Sequence, residues 1–253
     1  MNNELTIAIT AYKRPHYLKI VLDYLAKCVN IEKCQVIIHV EPGYNETINV
    51  CKNAGKIITS IVVNDSVFGL RRNFLNTMDD AFSRSNYVTW LTDDIVPASD
   101  FIEYHEWCRK TFADDKEVMA VSCYNWYDVF PLSKLFAVKK YYEFKNMAIG
   151  LWKDRWNVLS SEIKKHDYDN GKGWDYVGAK LLGLKIPIQT LDDIKQQYKV
   201  CIHPYISRIK YLPHNESLST HSMTINDWIE KFYFKCWSDH FMPQQQVKNW
   251  KQE

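Results

Sequence analysis

Short apolar runs rich in β-branched residues alternate with stretches of helical periodicity throughout the first half of the chain. The runs cover residues 5–10, 35–40, 56–63, 87–93 and 118–122. Each has the length of a buried strand, and the segments between them place apolar residues three and four positions apart, as an amphipathic helix does. A repeated strand–helix unit predicts an α/β fold with a Rossmann-like, doubly wound and mostly parallel sheet.

The second half of the chain has a different character. The regular alternation stops near Tyr124, and the next stretch is aromatic and irregular, with more Lys and Arg than Asp and Glu over residues 131–173. Beyond it, the pattern predicts a helix over residues 174–184 and a terminal helix over residues 224–240.

Overall charge and cysteine content argue against several classes of protein. The net charge is only +2, whereas DNA-reading domains are usually more basic. Seven cysteines, an odd number without a Cys-x-x-Cys pair, argue against a disulfide framework and a structural zinc site. The N-terminus has neither a basic region nor an apolar leader, and no window approaches the length of a membrane span. We therefore expect a cytoplasmic protein without a membrane span.

Two adjacent acids, Asp93 and Asp94, follow the apolar run of residues 87–91 with only Thr92 between. Neighbouring carboxylates repel each other unless a cation lies near them. A hard divalent metal such as Mg²⁺ is a suitable cation, because it prefers oxygen ligands and is usually held by one or two carboxylates plus substrate phosphates. The pair predicts a metal site on a turn between a strand and a helix.

Polar side chains also follow the other predicted strands of the sheet. They are Thr10 with Lys13 and Arg14, then Glu41, then Asn64 and Asp65 with Arg71 and Arg72 beyond them. Because open α/β sheets bind ligands outside the carboxyl ends of their strands, we expect these residues to meet the acid pair in one crevice. Arginines and a metal suit the phosphates of a nucleoside diphosphate, whereas Glu41 and Asp93 can accept hydrogen bonds from its ribose and base.

Motifs that would indicate other nucleotide chemistry are missing. The first strand is not followed by Gly-x-Gly-x-x-Gly, and the chain has neither a P-loop nor a Gly-x-Ser-x-Gly elbow. These absences disfavour a dinucleotide-binding enzyme, a P-loop NTPase and an α/β-hydrolase. A metal-assisted transferase with a nucleotide donor remains.

Several motifs, in order along the chain, resemble glycosyltransferases of the GT-A fold, and the N-acetylglucosaminyltransferase I type in particular. Residues 7–15 (IAITAYKRP) resemble the opening strand and donor-binding arginine of that family. Residues 91–101 (LTDDIVPASDF) resemble its Glu-Asp-Asp metal motif and the following helix. Residues 173–176 (GWDY) and 204–208 (PYISR) resemble its catalytic Trp-Asp-Asp segment and a later Pro-x-Ile-Ser-Arg. The family's first acid is Thr92 here, and its second catalytic-segment Asp is Tyr176.

The resemblance implies a role for most of the candidate residues. Asp94 is the direct ligand of Mn²⁺ or Mg²⁺, Asp93 faces the ribose or the metal with its bound water, and Asp175 is the general base of an inverting reaction. The donor is a nucleotide sugar, by resemblance a UDP-sugar. Its contacts fall on Arg14, Glu41, Arg71, Arg72 and Asp93. The sequence itself adds Thr10 at the end of the first strand, and His221, which would reach the diphosphate or metal from a polar loop that could close over the donor as a lid.

The resemblance also implies a division of labour within a single GT-A-like domain over residues 1–253. Residues 1–123 form the half that binds the nucleotide sugar. Residues 124–253 form the acceptor and catalytic half, which ends in the terminal helix. No clear linker separates the two.

The acceptor and the catalytic competence stay open at the level of sequence. One interpretation is a glycan acceptor, stacked on Trp126, Trp152 or Trp156. Another is a hydroxymethylated pyrimidine in DNA, flipped into a pocket that Tyr124, Trp126 and Tyr127 could line. A third is an inactive nucleotide-sugar-binding module, which the loss of an acid at residue 92 would suggest.

Overall fold

A computed structural model describes residues 5–125, 132–141, 147–164, 200–212 and 251–252 of this chain. The predicted helices over residues 174–184 and 224–240 lie outside these ranges. The strands in the described residues are β1 (Leu5–Ala11), β2 (Gln35–Val40), β3 (Ser60–Val63), β4 (Tyr87–Thr92), β5 (Ile95–Pro97), β6 (Val118–Val121), β7 (Ala137–Tyr141), β8 (Gly150–Trp152), β9 (Val200–Pro204), β10 (Ile209–Tyr211) and β11 (Lys251–Gln252). The helices there are α1 (Pro15–Leu25), α2 (Asn45–Asn53), α3 (Gly69–Arg84), α4 (Phe101–Thr111) and α5 (Lys153–Lys164).

Nine of these strands form one mostly parallel sheet in the order β11-β7-β9-β6-β8-β4-β1-β2-β3. β1 pairs in parallel with β2 and with β4, and β2 pairs in parallel with β3. The carboxyl ends of these four strands therefore lie along one edge. β8 lies antiparallel between β4 and β6, so the parallel run is interrupted at that position.

Helices cover both faces of the sheet, and the alternation of side chains along β1 shows how. Ile7 and Ile9 pack in one apolar cluster with residues of α1, α2 and α4. Ala8 packs on the opposite face with residues of α3 and α5. Buried side chains on both faces explain why the sequence of β1 has no charged residue and is mostly apolar, as is usual for parallel strands covered on both sides. The architecture confirms the predicted doubly wound α/β fold.

Two predicted elements differ from the structure. The strand expected over residues 56–63 begins only at Ser60, because Gly55–Ile57 forms a 3-10 turn. The helix after the acid pair, expected from about residue 97, begins at Phe101, since β5 extends to Pro97 and pairs antiparallel with β10. The partner of β5 lies more than a hundred residues further along the chain, where no local pattern could indicate it.

The second half has more regular structure than its sequence pattern suggested. Five strands, β7 to β11, and the helix α5 lie in its described part. Among the helices that the structure describes, none has the length and apolar character needed to pass through a membrane.

Candidate functional site

The paired acids lie on a tight connection at the carboxyl edge of the sheet. Asp93 and Asp94 join the end of β4 to the start of β5. The backbone N–H of Leu212 donates to the Asp94 carbonyl at 2.8 Å. Because β10 also pairs with β5, the backbone of this acid turn is held from both sides.

Asp93 is the more deeply buried of the two acids, with a side chain only 2% exposed. One carboxylate oxygen accepts a hydrogen bond from the Tyr12 backbone N–H at 2.9 Å, and the other accepts from the Arg14 guanidinium. Burial raises the pKa of Asp93 to about 6, because desolvation outweighs the opposing effect of Arg14. The group is therefore mostly ionised at neutral pH.

Asp94 is held by two side chains but is more open to solvent. Arg14 Nη1 donates to it at 3.1 Å, and the Thr92 hydroxyl donates to its other oxygen. Its side chain is 12% exposed. Thr92, which the sequence presented as a lost acid, is therefore an orienting partner of Asp94.

Arg14 bridges the two acids with one guanidinium group. Burial alone would lower its pKa, but the two carboxylates outweigh that effect and raise the pKa of Arg14. From the sequence alone, we expect a metal to balance the acid pair and Arg14 to bind the nucleotide. The structure shows that Arg14 itself supplies a balancing charge, whereas its contact with a nucleotide stays a prediction.

A second polar cluster lies at the ends of β2 and β3. Glu41 is almost fully buried, and one of its oxygens accepts from Asn64 Nδ2 at 3.2 Å and from the Phe68 N–H at 3.0 Å. Asn64 also donates to Asn73 Oδ1 at 2.9 Å. The other oxygen of Glu41, Oε1, is buried and has no hydrogen-bond partner among the described residues.

The remaining predicted donor-site residues in the described ranges have mixed surroundings. Thr10 is buried, and its hydroxyl accepts from Trp90 Nε1 at 3.2 Å. Arg71 and Arg72 lie in the first turn of α3, and the Arg72 guanidinium sits 4.3 Å from the ring centre of Phe68. Since Glu41 binds the Phe68 N–H, the start of α3 is tied to the end of β2.

Comparison with known proteins supports the fold. No protein-family model matches the chain, and no curated protein matches it either. Mannosyltransferase PcManGT from Pyrobaculum calidifontis, solved in complex with GDP-Man and Mn²⁺, matches over 85% of this chain and 59% of its own, at 14% identity and a TM-score of 0.52. The 1–349 fragment of S. aureus TarS, solved with UDP-GlcNAc, matches over 90% of this chain and 64% of its own, at 9% identity and a TM-score of 0.55.

The chain has the GT-A fold. At these identities the likeness is one of fold, and the chain spans about three fifths of the length of either solved structure. The narrower resemblance to the N-acetylglucosaminyltransferase I type stays a prediction.

The carboxylate oxygens of the acid turn, on Asp93 and Asp94, are the kind of ligand that a hard divalent cation prefers. No group of three or more His, Cys, Asp or Glu side chains that could hold a metal occurs in the described residues. Mn²⁺ and Mg²⁺ sites in substrate complexes, however, commonly use one or two carboxylates, with phosphates and water completing the shell. A carboxylate offers about four acceptor positions, so the hydrogen bonds to Asp94 leave capacity for a metal.

The predicted site also includes residues that the structure does not describe. Asp175 and His221 lie outside the described residues, as do Trp126 and Tyr127. The roles assigned to them stay predictions.

The expectation that Trp152 and Trp156 present stacking planes to an acceptor is wrong. Both side chains are buried. Trp152 donates to the Arg109 carbonyl at 3.2 Å, and Trp156 donates to Asp79 Oδ1 at 2.9 Å while it stacks on Phe82. These rings pack α5 and β8 onto their neighbours and leave no face for a sugar.

Sequence reasoning missed three contributors to the site. The Tyr12 backbone N–H, the Thr92 hydroxyl and the Asn73 side chain all bind an acid or its partner. Only Thr92 carried a signal, because a hydroxyl directly before two acids can hydrogen-bond locally. The other two depend on chain contacts that no motif encodes.

Proposed function

We propose that this chain is a metal-dependent, inverting glycosyltransferase that moves a sugar from a nucleotide-sugar donor, by resemblance a UDP-sugar, to a hydroxyl of a glycan. The observation that carries the proposal is the cluster of Arg14, Asp93 and Asp94 at the carboxyl edge of the sheet in a GT-A fold. Ligands of open α/β sheets bind at that edge.

The nature of the donor follows from the site chemistry and from the fold's other members. PcManGT was solved with GDP-Man and TarS with UDP-GlcNAc, so both matched structures hold a nucleotide sugar. In this chain Glu41 keeps a buried acceptor oxygen without a partner in the described residues. In our proposal that oxygen accepts a hydrogen bond from the donor's base or ribose. Arg71 and Arg72 lie in the first turn of α3, which follows Phe68, the residue whose N–H binds the other oxygen of Glu41.

Asp94 would hold the metal, because it is the more exposed acid and Thr92 and Arg14 already orient it. A bound divalent cation would supply Lewis-acid stabilisation of the charge that develops on the leaving diphosphate. Asp93 keeps its hydrogen bond to the Tyr12 backbone and, with Arg14, holds the acid turn in one conformation. Arg14 limits the repulsion between the two carboxylates, so the site can form before the donor binds.

The second half of the chain would bind the acceptor in this proposal. Asp175 would take the proton from the attacking hydroxyl, which requires a carboxylate within hydrogen-bond reach of that group. His221 would contact the diphosphate or metal from the lid loop, and residues 1–123 would bind the donor.

An active enzyme fits the structure better than an inactive binding module. The inactive interpretation depended on Thr92 as a lost ligand, yet Thr92 holds Asp94 in place. The site keeps both acids, the Arg14 guanidinium that pairs with them and the Thr92 hydroxyl that orients Asp94. These are the groups in the described residues that our proposal requires for metal binding and donor activation.

The experiment that tests the proposal is a donor screen by release of free nucleoside diphosphate. UDP- and GDP-sugars are incubated with the protein in Mn²⁺ and, in parallel, in EDTA. We expect release from one donor class in Mn²⁺ only, with loss in Asp94→Ala and a strong decrease in Asp175→Asn. Asp23→Ala, at an exposed position of α1, is the matched control and keeps the wild-type rate.

The outcomes separate the possible functions. Donor binding without turnover in any condition would favour a binding module. Turnover that persists unchanged in EDTA and in Asp94→Ala would refute the metal-dependent mechanism at this site.

A further inference from the structure

Lys13 occupies an unusual backbone turn at the end of β1. Its φ of +21° lies at the border of the left-handed region, where residues other than glycine are uncommon. The Arg14 N–H donates to the Tyr12 carbonyl and closes a three-residue turn around Lys13. Such backbone geometry clusters at functional sites, so the residue that adopts it merits a functional explanation.

Both chain neighbours of Lys13 are fixed to the acid turn. The Tyr12 N–H binds Asp93, and the Arg14 side chain binds Asp93 and Asp94. Lys13 therefore lies beside the proposed donor site, between two anchored residues.

The Lys13 side chain is exposed and rests against two aromatic rings. Its ammonium nitrogen is 4.8 Å from the ring centre of Tyr12 and 5.2 Å from that of Tyr44. The two rings meet edge to face with their centres 5.3 Å apart. Cation–π contacts at exposed sites are weaker than charge-assisted hydrogen bonds to phosphate, so the ammonium can exchange the rings for a phosphate oxygen.

The sum of charges at the proposed donor site predicts a role for the Lys13 ammonium group. The two carboxylates and Arg14 carry one net negative charge, which a divalent cation would convert into one positive charge. The diphosphate of a nucleotide sugar carries two negative charges, so Asp93, Asp94, Arg14 and the metal together leave one negative charge for a further cation at the end of β1 to balance. Arg14 is already engaged by both acids, whereas no carboxylate within ion-pair distance of Lys13 is found in the described residues.

We propose that Lys13 is the lysine that binds the diphosphate of the donor, presented by its strained turn and held ready by Tyr12 and Tyr44. This inference rests on the proposed function and adds a residue that the sequence argument left without a role.

The test compares affinities for a nucleoside diphosphate and for the matching nucleoside by titration calorimetry, with and without Mn²⁺. UDP is paired with uridine and GDP with guanosine. For Lys13→Gln we expect about tenfold weaker binding of the diphosphate, the effect of one lost charge-assisted hydrogen bond, and unchanged binding of the nucleoside. Lys13→Arg keeps most of the affinity.

Lys27→Gln is the matched control, since Lys27 is also exposed and lies 5.1 Å from the ring centre of Tyr24, at the far end of α1. It leaves both affinities unchanged. Equal binding of the diphosphate by Lys13→Gln and wild type overturns the inference, and so does an equal loss for diphosphate and nucleoside. If the wild type binds neither UDP nor GDP, the proposed function itself fails, a result distinct from either of these.

Discussion

Two polar clusters on the same sheet differ in every property that matters for function. The charged cluster consists of Arg14, Asp93 and Asp94 at the carboxyl edge. The neutral cluster surrounds His105 in α4, which contacts the Tyr87 hydroxyl at 2.9 Å, the Thr89 hydroxyl at 2.9 Å and the Cys123 thiol at 3.0 Å. A histidine beside a cysteine is a pair that could suggest catalysis.

Burial decides the role of the neutral cluster. His105 and Cys123 are fully buried, and desolvation lowers the pKa of His105 to about 3 and raises the pKa of Cys123 well above its usual value. Neither group ionises near neutral pH, and no solvent reaches them. A nucleophilic cysteine needs the opposite surroundings, partly exposed and electropositive. The neutral cluster therefore packs α4 on the sheet, whereas the charged cluster remains ionised and partly accessible.

The largest difference between the clusters should be seen in turnover. Asp94→Asn is expected to lower the rate of sugar transfer about a thousandfold, the scale of removing a preorganised electrostatic group. Its free energy of unfolding should change little, because the weakened pairing with Arg14 is offset by the loss of repulsion from Asp93. Steady-state kinetics and urea unfolding on the same preparation check both. Equal loss of rate and fold would show that Asp94 is structural.

Crowding the neutral cluster should damage the fold and spare the chemistry. A Cβ on Gly150 would lie 2.7 Å from His105 Nδ1 and closer still to the Tyr87 hydroxyl. Because both side chains are buried, Gly150→Ala should cost about 3 kcal/mol of unfolding free energy. Asn76→Ala, at an exposed position of α3, should change it by less than about 0.5 kcal/mol. A fully stable Gly150→Ala would refute the tight packing described for this cluster.

The pH dependence of the free energy of unfolding should show that His105 is neutral in the folded chain. The folded pKa of His105, about 3, lies below its usual value of 6.5, so between these values the unfolded chain binds a proton that the folded chain does not. The resulting stability is complete above pH 6.5 and is lost as the pH falls, by about 1.4 kcal/mol per pH unit. Urea unfolding at several pH values should show a flatter dependence in His105→Gln than in the wild type.

Asp93 acts in the opposite direction between its ordinary pKa of 3.8 and its folded pKa of about 6, because its raised pKa favours the folded chain at low pH. The difference between His105→Gln and wild type therefore isolates the histidine. Parallel curves for the two proteins would contradict the buried, neutral state of His105.

The smallest effect should come from the hydroxyl that orients Asp94. Thr92→Val removes one hydrogen bond from the carboxylate and should weaken Mn²⁺ binding about tenfold, as is typical for partners of metal ligands. Thr111→Val, at the exposed end of α4, serves as the control. Calorimetric Mn²⁺ titration in the presence of a nucleoside diphosphate provides the measurement. Unchanged affinity would mean that Thr92 does not support the metal site.

The sequence allowed accurate prediction where local pattern decides structure. β2 begins and ends where its apolar run does, and β1 and β4 differ from their predictions by one residue. Buried parallel strands are read directly from continuous apolar runs. β5 and β8, of three residues each, could not be predicted, because they are defined by partners far away in the chain.

The same limit applies to the site. The acid pair was found because strand ends converge in any parallel sheet. The pairing of Arg14 with Asp93 and Asp94 could not be predicted, since a guanidinium binds both carboxylates and phosphates. About 80 residues also separate Arg14 from the two acids. Trp152 and Trp156 misled for a related reason, because aromatic content does not distinguish a core ring from an exposed one.

The central claim is that the charged cluster binds a nucleotide-sugar donor through a metal. Calorimetric titration of UDP and GDP into the wild type, with and without Mn²⁺, tests it most directly. The account predicts Mn²⁺-dependent binding of one of the two, lost in Asp94→Ala and retained in Asp23→Ala. Absence of binding by the wild type, or undiminished binding by Asp94→Ala, would contradict it.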